Sequence, residues 1–114
     1  MAKLFAEAGL IVITAFISPF RSDRLKARRI MQDGPGPEIP FAEVYLSTPL
    51  AVCEQRDPKR LYARARAGEV KDFTGISSAF EPPDCPELSI DTSVVTLDEA
   101  VGLLLDDLSR RVMA

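Results

Sequence analysis

LIVITAFISPFR, residues 10–21, is the stretch on which the fold turns. Leu10 to Ile17 are apolar at nearly every position and rich in β-branched side chains, the composition of a strand covered on both faces in a parallel sheet. A helix-like start, MAKLFAEA, precedes this run and closes at Gly9, the residue type helices favour just past their ends. A basic amphipathic pattern over Asp23 to Met31 follows it and predicts a second helix. A strand between helices implies crossover connections, and so an α/β fold with a parallel sheet and flanking helices.

Working outward, DGPGPEIP at residues 33–40 reads as a proline and glycine loop. FAEVYL, Phe41 to Leu46, is a second strand candidate. Thr48-Pro49 opens a helix through Cys53 and Arg56, with proline acceptable at the first helical position. A further short helix is expected over Lys59 to Ala67, and Leu88 to Ile90 makes a third strand. Between them, residues 68–86 contain Gly68, Gly75, Pro82, Pro83 and Pro86 with little periodicity, which predicts an irregular, mobile segment. Thr96 and Glu99 form a capping box before a last helix. Its stripe of Leu97, Ala100, Val101, Leu104, Leu105, Leu108 and Val112 is expected to be buried core.

Composition narrows the chemistry. With 114 residues, 46% hydrophobic and 27% charged, the chain reads as one globular domain. A net charge of −3 argues against a general nucleic-acid binder. There is no histidine, which removes the commonest general base, any Ser-His nucleophile and the usual zinc ligands. We expect no metal ligated by the chain itself. Cys53 and Cys85 match no close-spaced metal pattern and fit a reducing cytoplasm. Lys3 and the apolar run after it imitate a secretory signal, but Glu7 interrupts the run and SPF stands where small residues should precede cleavage. The run also falls short of the roughly 20 apolar residues needed to span a bilayer, so no membrane partner is expected.

The basic residues are not spread evenly. Arg56, Lys59, Arg60, Arg64, Arg66 and Lys71 crowd into the segment from Cys53 to Pro83, and positive charge concentrated in an acidic chain points to a small phosphate-rich ligand. Arg56, Lys59 and Arg66 are candidates to neutralise transferring phosphate charge; a solvated surface helix accounts for the same pattern. FISPFR, Phe16 to Arg21, falls at the carboxyl end of the first expected strand, where parallel sheets bind ligands. A plain strand-to-helix turn, with Ser18 as cap and Pro19 in the first turn, is the alternative. Phe73, in KDFTGI at residues 71–76, suits either stacking on a purine or an ordinary core position.

These segments together resemble adenylylsulfate kinases. The resemblance runs through AKLFAEAGLIVITAFISP, CEQRDPK, LYARARAGEVKDFTGI, FEPP and PEL. It implies a P-loop kinase-like three-layer α/β/α fold, here N-terminally truncated, with residues 1–114 as the C-terminal part of the kinase domain and a lid over about 56–86. It also implies transfer of the ATP γ-phosphoryl group to the 3′-hydroxyl of adenosine 5′-phosphosulfate, giving 3′-phosphoadenylylsulfate and ADP in sulfate assimilation. ATP and Mg enter as cosubstrate and ion, with no tightly bound cofactor. By the same resemblance Ile17 and Ser18 meet the nucleotide substrate, with Ser18 also matching a phosphoserine site. Arg56 matches an arginine near the ATP base, Lys59 a lysine contacting adenylylsulfate, and Asp72 and Phe73 the substrate-facing lid. Partners are then adenosine 5′-phosphosulfate and ATP, with a homodimer and association with a sulfate adenylyltransferase both open. The sequence departs from the family at Arg60, usually glycine, at Phe20 and Phe80, often tyrosine, and at Ser77, usually aspartate.

A glycine-rich phosphate loop ends in Lys followed by Ser or Thr, and these residues contain no Gly-Lys pair. Two readings stay open on sequence: an adenylylsulfate kinase region, or a catalytically inactive remnant or partner-dependent fragment acting as an interaction module.

Overall fold

The computed structural model describes residues 1–34 and 36–113. They divide into two units, Met1–Phe41 and Ala42–Ala114. The first unit carries helices α1 (Ala2–Glu7) and α2 (Arg21–Gln32). α1 ends where sequence predicts, and for the expected reason. Gly9 takes φ 91, and its N–H donates to the Ala6 carbonyl while that of Leu10 donates to Phe5, at 3.0 and 3.1 Å. That pair of bonds is the Schellman closure, which needs a left-handed residue just past the helix. α2 extends the predicted helix by two residues at its start and one at its end. In the proline and glycine loop after it, Pro35 lies outside the described residues.

Residues 10–17 are not a strand. They carry no ladder, and their apolar side chains face solvent, Ile13 at 84% and Phe16 at 81% exposure. The run has the composition of a two-faced strand, but a strand is held by neighbours that take its N–H and C=O groups. Among the described residues, none pairs with this run.

In the second unit, β1 (Val44–Leu46) and β2 (Leu88–Ile90) pair in parallel, with Val44 opposite Leu88, Tyr45 opposite Ser89 and Leu46 opposite Ile90. The second predicted strand is thus real but shorter at its start: Phe41 instead sits under the Arg28 guanidinium, 4.8 Å from the ring centre, in the first unit. Parallel pairing forces a long crossover, and residues 47–87 supply it with α3 (Leu50–Arg56) and α4 (Leu61–Arg66). Pro49 caps α3 rather than occupying its first turn. Thr96 caps α5 (Leu97–Met113), its Oγ1 accepting from the Glu99 N–H at 3.1 Å.

Among the described residues, Ile90, Ala65 and Ala100 are the buried apolar ones. The stripe expected to be core along α5 is largely exposed: Ala100 is covered, whereas Leu97, Val101, Leu104, Leu105 and Val112 are open. The 3.6-residue period identified the helix correctly; burial also requires an opposing layer, and the described residues put none over this face. Among the described residues, no helix is long and apolar enough to cross a membrane.

Candidate functional site

The carboxyl ends of β1 and β2 are stitched together by polar side chains. Just past the strands, the Thr92 N–H donates to Thr48 Oγ1 at 2.9 Å, the two threonine hydroxyls lie 2.7 Å apart, and the Ser47 N–H donates to the Ile90 carbonyl at 2.8 Å. Arg56, at the end of α3, reaches this edge and donates to Thr92 Oγ1 and the Thr92 carbonyl at 2.6 and 2.8 Å. The carboxyl edge is where parallel sheets hold ligands, and Arg56 stands there as a fixed, always-charged group. Sequence reading named Thr48 only as a helix start and did not single out Thr92. Each stands two residues past the end of a strand, and that placement is the signal that would have found them.

Beyond Arg56 the chain turns through Asp57-Pro58-Lys59-Arg60 into α4. One residue organises the turn. The Asp57 N–H closes α3 on the Cys53 carbonyl at 3.0 Å, the Asp57 carbonyl accepts from the Arg60 N–H at 3.1 Å, and its carboxylate accepts from the N–H groups of Tyr62 and Ala63 at 3.1 and 3.0 Å. Those two donors belong to the first turn of α4 and have no partner inside the helix. Sequence reading missed Asp57, although an acidic residue and a proline just before a helical run mark a helix start. Arg60 is left-handed, with φ 56 and ψ 25, which accounts for the family's usual glycine at that position.

The basic cluster does not behave as one patch. Arg66 makes a two-point pair with Glu54 of α3, at 2.7 and 3.3 Å, and this hydrogen bond raises its pKa further. Arg64 pairs with Glu69 at 3.1 Å across the end of α4. Arg56 is committed to Thr92. Lys59, Arg60 and Lys71 are exposed, and their side chains make no hydrogen bond or ion pair among the described residues. The cations proposed from sequence therefore separate into matched ones, Arg56 and Arg66, and an unmatched one, Lys59.

α4 ends as α1 does. Gly68 has φ 79, and the N–H groups of Gly68 and Glu69 donate to Ala65 and Arg64 at 3.1 and 3.0 Å. The lid sequence that follows is irregular but tightly bonded. The Phe73 carbonyl accepts from the N–H groups of Ile76, Ser77 and Ser78 at 2.9 to 3.0 Å, Gly75 donates to the Ser78 carbonyl at 2.6 Å, and Thr74 bridges to Ser78. Ser77, the departure from aspartate, still supplies an acceptor: its Oγ takes the Phe73 N–H at 2.7 Å. Asp72 is left-handed at φ 54 and exposed.

The Phe73 ring meets the edge of Tyr62 at 5.0 Å and 72°, the tilted geometry that aromatic quadrupoles favour. Phe80 stacks with Tyr45 of β1 at 6.1 Å and 15°. Lys59, the Asp57 turn, Tyr62 and Phe73 thus form one connected surface in this unit. Burial pushes the Tyr62 phenol upward, and its neighbours Cys53, Asp57 and Glu54 push it the same way, so it stays a neutral donor at physiological pH.

In the first unit, Ser18 has φ 44 and its carbonyl accepts from the Arg24 guanidinium at 2.6 Å. Phe20 occupies the cap position of α2, with no side-chain capping bond, so Ser18 and Pro19 precede the helix and the capping explanation for Ser18 does not hold. Ile17 beside it is exposed. Among the described residues, Ser18 and Asp72 are two of three non-glycine residues held at positive φ, Arg60 being the third. Strain of this kind recurs at functional sites.

Comparisons with known proteins place this arrangement. The family model described as adenylylsulphate kinase matches residues 1–91. The chain is 53% identical over 108 residues to the adenylyl-sulfate kinase of Prochlorococcus marinus, covering 95% of this chain and 51% of that protein. It is 52% identical over 111 residues to that of Marinobacter nauticus, covering 97% and 53%. The chain spans about half the length of the curated relatives it matches. Among solved structures, the APS kinase CysC of Mycobacterium tuberculosis, in complex with AMPPNP and APS, superposes with TM-score 0.85 at 42% identity, over 93% of this chain and 59% of that one. A family match over most of the sequence and a shared parallel α/β architecture agree with the motifs in FISP, DPK and KDFTG, and on these grounds the chain belongs to the adenylylsulphate kinase family.

Proposed function

We propose that these residues form the adenylylsulfate-binding part of an adenylylsulfate kinase, whose reaction passes the ATP γ-phosphoryl group to the 3′-hydroxyl of adenosine 5′-phosphosulfate. The observation that carries this reading is the connected surface in the second unit: an unmatched lysine at the apex of a fixed turn, joined through Tyr62 to an aromatic at the start of a closed loop. An anionic nucleotide suits both features, its charged phosphosulfate meeting Lys59 and its adenine meeting Phe73. Asp72, left-handed beside Phe73, borders the same contact. The solved relative binding APS together with an ATP analogue supports the pairing of substrates.

Arg56 acts in this reading as the cation near the ATP base, held in place by Thr92. Ile17 and the Ser18 hydroxyl, which caps no helix, contribute further nucleotide contacts. Ser18 as a phosphoserine site is not needed, since in-line transfer uses no enzyme nucleophile. Among the described residues no three acidic, cysteine or histidine side chains cluster to hold a metal. In this reading magnesium enters as the ion that accompanies ATP. Two free cysteines fit a reducing, cytoplasmic setting.

The test is calorimetric titration of adenosine 5′-phosphosulfate into the folded chain. Saturable one-to-one binding is expected, competed by 3′-phosphoadenylylsulfate. Absence of binding by folded protein overturns the reading.

A further inference from the structure

We infer that Asp57 is a positioning residue for the adenylylsulfate site, setting both Lys59 and the Phe73 loop through a single carboxylate. The inference rests on the substrate reading above and adds to it a residue that touches no ligand.

Asp57 ends α3 with its N–H and starts α4 with its carboxylate, so one residue fixes the angle between the two helices and the path of the turn between them. Within that turn Pro58 restricts its own φ, and Arg60 is held left-handed by its N–H bond to the Asp57 carbonyl. Lys59 lies between these two constrained neighbours, with no interaction of its own to hold it. Its placement therefore depends on Asp57.

The same carboxylate reaches further. One oxygen binds the N–H of Tyr62, whose ring abuts Phe73. Releasing that N–H loosens the first turn of α4, and with it the surface on which Phe73 packs. The strain at Arg60 favours the same outcome, because a non-glycine residue in this conformation persists only where its surroundings hold it. Arg64 and Arg66, farther along α4, are anchored instead by Glu69 and Glu54, so the effect of losing Asp57 concentrates at the start of the helix.

The experiment compares wild type, Asp57→Ala, Asp57→Asn and Lys59→Ala by titration with adenosine 5′-phosphosulfate and by amide hydrogen exchange, after circular dichroism has established that each is folded. Asp57→Ala is expected to weaken binding about fivefold to tenfold, as expected for loss of a cap worth roughly one factor of ten, and to expose the Tyr62 and Ala63 amides to exchange. Asp57→Asn keeps one acceptor oxygen for two N–H donors, so it is expected to restore the protection of one of the two amides and only part of the binding. If Asp57→Ala loses amide protection yet binds like wild type, Asp57 is a helix cap alone and the inference fails. If it keeps that protection, the inference also fails. Wild type that does not bind, or Lys59→Ala that binds as tightly as wild type, sinks the substrate reading itself, which separates the two failures.

Discussion

Residues 10–17 and residues 57–78 invert each other. The first stretch reads as the most ordered part of the sequence, yet it forms no ladder and exposes Ile13, Phe16 and Ile17. The second reads as a short helix followed from Gly68 by an irregular, mobile segment, yet nearly every turn in it is closed by named hydrogen bonds at Asp57, Gly68, Phe73 and Ser77. The difference lies in where each kind of order comes from. A buried strand depends on partners distant in sequence, whereas glycine closures, carboxylate caps and short turns are completed within a few residues. Local chemistry survives wherever its own residues are present.

Breaking the local order should cost most. Gly75 has φ 89, and a Cβ there would stand 3.1 Å from Leu50 Cδ1. Gly75→Val is expected to lower stability by about 2 kcal/mol, mainly through backbone strain because the leucine tip can move; the shift in a urea midpoint measures it. An unchanged midpoint would mean that the 73–78 loop is not part of the cooperative unit.

A gentler change sharpens the contrast from the other side. Arg60→Gly removes a left-handed non-glycine residue and is expected to raise stability by up to about 1 kcal/mol. A rise in melting temperature with unchanged circular dichroism is the expected result. A fall would show that the Arg60 side chain contributes more than its backbone costs.

The smallest stability effect is expected in the apolar run. Ile13 is 84% exposed, so Ile13→Thr should alter stability by no more than about 0.5 kcal/mol while improving solubility, because a contiguous exposed apolar run invites association. Light scattering during concentration checks the second part. A loss of 2 kcal/mol or more, on the order of a core substitution, would place this run in a core after all.

These outcomes bear on what could be read in advance. The helices and the β1 and β2 segments were legible because periodicity, Gly9, Thr96 and the apolar-polar-apolar alternation of Leu88, Ser89 and Ile90 are local signals. The exposed face of α5 was not, since period 3.6 reports which side of a helix is apolar and says nothing about what covers it. Arg56, Lys59 and Phe73 in the second unit, and Ser18 in the first, were marked as candidates by charge, position and resemblance. Their separation into matched and unmatched cations was not visible, because Glu54 and Glu69 meet Arg66 and Arg64 only once α3 and α4 are folded. Asp57 escaped notice because its role is to hold others.

The central claim is that Lys59, rather than basic charge in general, binds the phosphosulfate group. Titrating adenosine 5′-phosphosulfate into Lys59→Ala and Arg64→Ala, each against wild type, tests it most directly. The account predicts that Lys59→Ala weakens binding by about tenfold or more, with a shallower salt dependence, while Arg64→Ala, whose partner Glu69 already takes its charge, changes affinity less than about twofold. Equal losses in the two variants would contradict it, and so would wild-type affinity in Lys59→Ala.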